Sequence, residues 1–448
     1  MLSAFANSLR IPELRQRIFF TFGMIFICRL IAAVPIPGVD AAFLRDYIEQ
    51  AGAAAGNGGF LGLFNLFSGG ALGNCAVGAL GIMPYISASI ILQLMTAVVP
   101  ALERLAREGD TGRQRIIQYT RYLTVFLCII QGYFLALSLE RPGSLLDVSV
   151  VIEPGWGYRI LATMTMVAAT MLLMWLGEQI TERGIGNGTS LIITVGIVSA
   201  LPGALQMTAS MFKPVDGVSQ YGIFHAVGLL VILFLMVASV VSLTQAQRKI
   251  PVQYAKRVVG RKVYGGQNTF MPLRVNYSGV MPIIFGSAIL MFPSKLLSYL
   301  PGSFFQQMSA ALAYGTPLHM FLYGLLIVFF SYFWVATQFN PIQIADDLKK
   351  YGGYVPGIRP GKPTAEFLDR TMTRITLAGS IFLALIAIFP ELIMQQFGVP
   401  TMVARFFGGS SLLIVVGVML DTMRQVESHL VTRYYDGFLS KGKLRSRK

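Results

Sequence analysis

Charged side chains are scarce in this sequence. Of its 448 residues, 13% are Asp, Glu, Lys or Arg, whereas 54% are hydrophobic. An ordinary soluble domain carries about 25% charged residues, so the composition excludes one large soluble core. The hydrophobic residues fall into blocks of roughly 20, the length of a helix that crosses the bilayer hydrocarbon. We predict a polytopic membrane protein.

Cysteine and histidine are rare as well, with three of each. The cysteines are odd in number and lie in apolar surroundings, which favours small buried hydrophobes over a disulfide framework. The histidines are far apart and show no metal-ligand spacing. We therefore expect no disulfide, no metal site and no cofactor.

Complete nucleotide-binding motifs are missing too. Residues 184–188, GIGNG, lack the third glycine of a dinucleotide fingerprint and follow a membrane span instead of a strand. Residues 357–363 resemble a phosphate loop but are one residue short and have proline where Ser or Thr would bind magnesium. We predict that the chain is not an enzyme and that any energy it uses comes from outside it.

Ionisable residues are nearly absent from the middle of the predicted spans. Such residues mark ion and proton pathways, so their scarcity counts against the alternative function, a secondary transporter of a small solute built on an inverted repeat. Aliphatic side chains occupy these depths instead: Ile82 and Ile86 share a helix face, and Ile193 follows Thr189 by four residues. This pattern fits either ordinary packing or a hydrophobic constriction in a watery pore.

Ten apolar blocks are present, and most Lys and Arg residues lie in alternate connections between them. The blocks cover residues 18–36, 76–99, 116–138, 158–177, 189–211, 222–243, 277–299, 318–338, 372–394 and 404–423. By the positive-inside rule, the basic connections and both termini are cytoplasmic. Five spans per half require the second half to be inverted relative to the first.

The expected fold is therefore an all-α polytopic membrane protein, with ten transmembrane helices in two pseudo-inverted five-helix halves around a central pore. The halves are residues 1–212 and 213–424, followed by a basic cytoplasmic tail at 425–448. Two long cytoplasmic loops, 244–276 and 339–371, belong to the second half. The first of them carries seven Lys or Arg and no acidic residue, which fits either anionic lipid or an acidic partner.

Glycines interrupt the hydrophobic stretch at residues 60–100. The half before residue 76 is too short to span a bilayer and too apolar for a solvated loop. Irregular backbone at membrane depth is tolerated only where protein buries it or a watery cavity surrounds it. The stretch therefore predicts a cavity with a short glycine-hinged segment folded into it.

The motifs in this stretch resemble the SecY family, the channel subunits of the bacterial protein-export translocon. They are FNLFSGGAL at 64–72 and GIMPYISASI at 81–90, and further matches are WLGEQITERGIGNG at 175–188, FNP at 339–341, VPGIRPG at 355–361 and GGSSLLIVV at 408–416. The resemblance implies a protein-conducting channel that passes unfolded secretory polypeptides and releases hydrophobic segments sideways into lipid.

The resemblance also implies roles for particular residues. A plug would occupy residues about 60–74, with Phe64, Asn65, Leu66, Phe67, Ser68, Gly69 and Gly70. The pore ring would be Ile82, Ile86, Thr189, Ile193, Ile284 and Ile414. Thr189 departs from the aliphatic pattern, and we expect its hydroxyl to leave the seal wetter. The lateral gate would include Ser87, Gln93 and Phe292, and cytoplasmic docking would use Lys256, Arg257 and Arg359.

Partners follow from the same resemblance. They are the small membrane subunits SecE and SecG, the SecA motor ATPase, the translating ribosome, signal-sequence-bearing polypeptides and anionic lipids. The implied location is the bacterial cytoplasmic membrane, with both termini in the cytoplasm.

Overall fold

The structure is a computed structural model of the chain. It describes residues 11–40, 68–140, 151–212, 222–254, 257–259, 262–264, 268–299, 302–313, 315–397, 403 and 410–441. Within it the chain divides into two compact units. The first comprises Met1–Ser210 with Val418–Lys448, and the second comprises Met211–Gly417.

Helices make up most of the described part of the chain, which confirms the predominantly α-helical fold. The first unit contains α1 (Pro12–Ile31), α2 (Met83–Val98), α3 (Pro100–Arg107), α4 (Asp110–Glu140), α5 (Trp156–Arg183), α6 (Gly188–Ser199) and most of α7 (Leu201–Met211). The second contains α8 (Ile223–Gln245), α9 (Met281–Tyr299), α10 (Ser303–Ala311), α11 (Pro317–Gln338), α12 (Pro341–Lys350) and α13 (Lys362–Phe397). The last helix, α14 (Ser410–Lys441), belongs to the first unit from Val418 onward.

Several of these helices are long and apolar enough to cross a membrane. Among the described residues six pass this test, and a seventh does so if α2 and α3, which are bent by 102° at their junction, count as one span. The number of ten spans stays a prediction. A multi-pass membrane protein is the architecture that these helices form.

Proline and polar caps set many helix starts. Proline occupies the first turn of α1, α2, α3, α11 and α12, where its missing N–H would have had no helical acceptor. The side chains of Asn187, Thr316 and Asn340 cap α6, α11 and α12 by accepting a backbone N–H three residues on. These local signals explain why most helix starts lie near the predicted block boundaries.

The second span is shorter than its apolar block. The block at 76–99 predicted a continuous helix, but α2 begins only at Met83, and residues 76–82 form turns joined by an isolated bridge at Ala76. Gly81 has a φ of +57°, which a helix does not allow. The start of the helix predicted from hydropathy was therefore wrong. Turns that are buried in protein consist of apolar residues, as a membrane span does, so hydropathy does not distinguish the two.

The predicted basic loop at 244–276 contains strands. Strand β1 (Gln247–Tyr254) pairs antiparallel with β4 (Asn268–Arg274) and, at its far end, with β5 (Gly353–Tyr354). Between them, β2 (Arg257–Val259) pairs with β3 (Lys262–Tyr264). The fold is thus not strictly all-α, because a charged hairpin outside the membrane satisfies its backbone groups across strands.

The paired strands β1 and β4, called the basic ribbon below, have one apolar face. Ile250 and Val252 alternate with exposed residues along β1 and are almost fully buried. Ile250 packs in a cluster with Leu273 of β4, Val335 of α11 and Leu368 of α13. This core fixes the ribbon to the ends of two helices in the second unit.

Candidate functional site

The segment Ser68–Ile82 is non-helical and buried in the first unit. Its turns are closed by backbone hydrogen bonds, among them Ala76 N to Ala71 O at 2.8 Å and Gly81 N to Gly78 O at 2.8 Å. Ala71, Ala76 and Ile82 are at most 1% exposed. The segment therefore satisfies much of its own backbone, the condition for irregular structure at membrane depth.

Two further hydrogen bonds attach this segment to the chain that leaves α1. Ile36 N donates to Cys75 O at 2.8 Å, and Val77 N donates to Val34 O at 2.8 Å. Cys75 has a φ of +40°, an unfavourable conformation for a residue other than glycine. The carboxyl-terminal part of the segment is thus fixed by a short two-stranded contact.

Gly69 is held by different groups, all of them side chains. Arg29 Nη1 of α1 donates to Gly69 O at 2.8 Å, and Ser199 Oγ of α6 shares its one proton between Gly196 O at 2.7 Å and Gly69 O at 3.2 Å. Gly69 has a φ of +68°, and a Cβ built on it would lie 2.6 Å from Arg29 Nη1 and 2.8 Å from the Cα of Gly196. Only glycine fits between the guanidinium and the glycine of α6. We call these contacts the Gly69 latch.

A cavity of about 30 Å³ adjoins the latch. It has room for one or two water molecules. Its walls include Arg29, Ser68, Ile82, Ile192 and Gly196. The latch therefore lies against a small space in the first unit that is lined mainly by apolar groups, with Arg29 and Ser68 as its polar side chains.

The predicted plug falls only partly within the described residues. Ser68, Gly69 and Gly70 are described, and Ser68 Oγ accepts the N–H of Leu72 at 3.2 Å. Phe64, Asn65, Leu66 and Phe67 lie outside the described residues. The part that is seen has the turns and glycine contacts that a short seated segment requires.

Four predicted ring residues belong to the first unit. Ile82 is the N-cap of α2 and is 1% exposed; Ile86 lies one turn further and is half-buried. Ile193 of α6 is buried. The hydroxyl of Thr189 donates to Asn187 Oδ1 at 2.7 Å, and its methyl group lies near Gly177 of α5. The hydroxyl is thus occupied at the helix start, and a wetter seal stays a prediction.

The other two ring residues belong to the second unit. Ile284 lies in the first turn of α9 and is 4% exposed, and Ile414 of α14 is 1% exposed. Burial of this degree is what a side chain in a packed core or a closed constriction shows. Their assignment to a ring stays a prediction.

The predicted gate residues lie on α2 and α9. Ser87 is half-buried and Gln93 is exposed on α2. Phe292 belongs to α9, but its side chain lies outside the described part of the chain. An exposed glutamine on a membrane helix is costly in lipid, and Gln93 is therefore the gate residue that most needs a polar or protein neighbour.

Of the predicted docking residues, Arg359 lies in the second unit close to strand β5, which pairs with the basic ribbon. Arg359 is exposed in the turn before α13, where its carbonyl accepts the hydroxyl of Thr364 at 2.8 Å. Arg248, Lys249 and Arg274 of the ribbon are exposed as well. Arg257 lies in β2, whereas Lys256 is outside the described residues. Exposed cations of this kind attract anionic groups, and docking of a partner at them stays a prediction.

The glycine-rich turn at 184–188 is closed by side chains from three directions. Ile185 N donates to Thr21 Oγ1 at 3.1 Å, Gly186 N to Gln425 Oε1 at 2.8 Å, and Gly188 N to Thr181 Oγ1 at 2.9 Å. These N–H groups are therefore occupied and do not form a phosphate cradle. They join α1 and the middle of α14 to the turn between α5 and α6.

Two arginine–glutamate pairs join the antiparallel helices α4 and α5. Arg121 binds Glu178 through Nε at 3.1 Å and Nη2 at 2.6 Å, and Arg159 binds Glu140 through Nε at 2.6 Å and Nη2 at 3.0 Å. The two members on each helix are 19 positions apart, or about 28 Å at 1.5 Å per residue. This is close to the roughly 30 Å thickness of the hydrocarbon, so we expect the pairs to lie near its two edges.

A buried carboxylate was missed in the sequence. Glu391 of α13 is 0% exposed, and its Oε2 lies 3.2 Å from Gly315 N and 3.2 Å from His319 Nδ1. Its Oε1 has no hydrogen-bond partner among the described residues. The sequence signal for this site was a single acidic residue inside the apolar block 372–394. Its partner could not be found from the sequence, because His319 is 72 residues away.

Comparison with known proteins places these features in a family. The family model described as SecY matches residues 76–423. The protein translocase subunit SecY of Streptomyces coelicolor is 46% identical over 448 residues, which cover 98% of this chain and 100% of that protein.

Solved structures show the same fold at lower identity. One, described as the structure of a protein conducting channel, has a TM-score of 0.65 and 17% identity, and the match covers 96% of this chain and 94% of that chain. Another, whose subject is how the plug domain of the SecY protein stabilises the closed state of the translocation channel, has a TM-score of 0.57 and 16% identity with the same coverage.

The Gly69 latch predicts a specific loss of the seal. Gly69→Ala brings a methyl group against Arg29 and Gly196, so we expect the segment to leave its position and the resting ion conductance in planar bilayers to rise. Gly70→Ala is the matched control. Both glycines have positive φ, and each alanine costs roughly 1–2 kcal/mol in strain, but a Cβ on Gly70 meets nothing within 4 Å. Equal conductance of the two variants would contradict the latch.

The ion pairs between α4 and α5 predict a difference in stability. The side chains of Arg159 and Glu140 are 20% and 10% exposed, whereas those of Arg121 and Glu178 are 45% and 16% exposed. Removing one member of the more buried pair leaves a less hydrated charge. We therefore expect Arg159→Gln to lower the thermal midpoint in detergent more than Arg121→Gln does. An equal or reversed effect would contradict this ordering.

Proposed function

Because this chain belongs to the SecY family, we propose that it is a protein-conducting channel. It would pass unfolded secretory polypeptides across the bacterial cytoplasmic membrane and release hydrophobic segments sideways into the lipid. The observation that carries the proposal is the Ser68–Ile82 segment, which lies between two predicted spans and is buried in the first unit without being helical. Such a segment can leave its position without unfolding a transmembrane helix.

The strength of the Gly69 latch suits a device that must open. A hydrogen bond from a charged donor is worth about 1.5–3 kcal/mol and a neutral one about 1 kcal/mol. A signal helix gains roughly 0.3–0.6 kcal/mol per large aliphatic residue in the membrane, so about ten such residues supply a similar amount. The latch is therefore strong enough to favour the closed state and weak enough for a substrate to open it.

A ring of aliphatic side chains is the proposed constriction. Ile82, Ile86, Thr189 and Ile193 would come from the first unit, and Ile284 and Ile414 from the second. Aliphatic side chains make no strong contact with any one sequence, so a ring of them passes varied polypeptides and dewets when idle. The burial of Ile82, Ile193, Ile284 and Ile414 supports this proposal.

Sideways release requires a seam that opens toward lipid. We place it at the helices that carry Ser87, Gln93 and Phe292. Helix α2 supports this role because, on the side opposite the exposed Ile91 and Met95, it has a face that exposes a polar residue, Gln93. A passing signal helix would replace lipid at this face and pair with the amide.

Cytoplasmic partners would dock at the basic ribbon and at Arg359. The SecA motor and the translating ribosome are the proposed partners, with Lys256 and Arg257 of the same hairpin contributing to the contact. Both termini would then be cytoplasmic, as the distribution of Lys and Arg predicts. SecE and SecG would cover apolar helix faces within the membrane, and anionic lipid would surround the basic connections.

The first test traces the polypeptide path. A photo-crosslinking residue at Ile86 or at Ile193 should react with the mature part of an arrested secretory chain. The control position is Phe134 of α4, which is 57% exposed outside the proposed path and should react with lipid only. Absence of crosslinks at both ring positions, together with uptake of a small solute into vesicles, would support the transporter instead.

The second test concerns the docking surface. Arg359→Glu reverses an exposed charge beside the ribbon and should lower motor-driven translocation into vesicles several-fold, because the partner's acidic groups then meet like charge. Arg370→Glu is the matched control, since Arg370 is also exposed but lies in the third turn of α13. Equal activity of the two variants would contradict docking at Arg359.

A further inference from the structure

Helix α10 differs from the other short linking helices. None of its nine residues is buried. The short helices α3 and α12 carry charges on their exposed faces: Glu103 and Arg104 in α3, and Asp346, Asp347, Lys349 and Lys350 in α12. Helix α10 carries none, and the sequence contains no charged residue from 296 to 318. An exposed helix without charged side chains is poorly suited to a surface that contacts only water.

The neighbouring spans confine α10 to one membrane surface. It lies between α9 and α11, which are predicted spans, and α9 itself follows β4 of the basic ribbon. A chain that crosses the membrane once after the ribbon emerges on the opposite face. The five residues 312–316 reach at most about 18 Å when extended, so the end of α10 cannot leave the headgroup region of that face.

The apolar side chains of α10 share one side of the helix. Phe304, Phe305 and Met308 are 67%, 36% and 44% exposed. At 100° per residue, Met308 follows Phe304 on the same side, Phe305 lies next to them, and Gln306 points the opposite way. The two phenyl rings contact each other edge to face, with 5.7 Å between their ring centroids. The helix thus has an apolar face and an uncharged polar face.

The end of α10 is anchored to the second unit. The Thr316 hydroxyl donates to Ala311 O at 2.6 Å and to Ala313 O at 2.9 Å. Gly315 N donates to the buried Glu391, which also contacts His319. The helix is therefore held in place beside the membrane while its phenylalanines face outward.

We propose that α10 is a lipid-binding helix in the leaflet opposite the basic ribbon, with Phe304, Phe305 and Met308 inserted among the acyl chains. A nine-residue helix with no buried side chain lacks the packing that stabilises short helices in water, and insertion supplies it. Because the helix is uncharged, its binding is to acyl chains and does not require anionic headgroups. The inference depends on the membrane location alone and not on channel activity.

The test measures the surroundings of each face in the full-length protein. Single cysteines at Phe304 and Gln306 are labelled with an environment-sensitive fluorophore; the native cysteines are buried and provide little background. The protein is reconstituted without other subunits into nanodiscs of phosphatidylcholine, with or without phosphatidylglycerol. The quenchers are nitroxide on the acyl chain and iodide in the water.

Insertion predicts opposite results at the two positions. The label at Phe304 should be quenched several-fold more by the acyl nitroxide than the label at Gln306, and iodide should quench Gln306 more. The difference should be the same with and without phosphatidylglycerol. Equal iodide quenching at both positions would overturn the proposal by placing the helix in water. Protection of Phe304 from both quenchers would overturn it in favour of a protein contact, such as a second copy of the chain.

Discussion

The membrane part of this chain depends on one constraint: backbone N–H and C=O groups in hydrocarbon must find partners within the protein. Helices meet this requirement along most of the chain. The segment Ser68–Ile82 meets it differently, through turns and through bonds to Val34 and Ile36. The segment is also held by side chains of α1 and α6 and by the packing of Leu72 and Leu80 in the core of the first unit. Opening of the proposed channel would have to break the contacts at its Gly69 end.

Several charges within or near the predicted spans have defined neighbours in the part of the chain that the structure describes. Arg29 binds a carbonyl oxygen beside a small cavity, and two arginine–glutamate pairs lie about one hydrocarbon thickness apart on α4 and α5. Glu391 is fully buried and contacts His319 and a backbone N–H. Each charge therefore fixes a local arrangement, since leaving its partner would expose it to a medium that does not solvate it.

The two faces of the membrane carry different surface chemistry. On the cytoplasmic side of the proposed topology, the basic ribbon has one apolar face in a core and one charged face outward, which suits acidic macromolecules. On the other side, α10 has phenylalanines and no charge, which suits acyl chains. The division follows from the energetic cost of moving charge across a bilayer, which keeps Lys and Arg on one side.

Sequence alone determined the membrane class, most span positions and the motifs of the family, because burial in lipid requires long apolar blocks and because FNLFSGGAL and GIMPYISASI are specific. It did not determine that α2 starts at Met83, since turns packed in protein are as apolar as a helix in lipid. It did not join Arg29 to Gly69, Glu140 to Arg159 or His319 to Glu391. Those contacts link residues 19 to 72 positions apart, and only the tertiary fold, by bringing helices side by side, decides which charges meet.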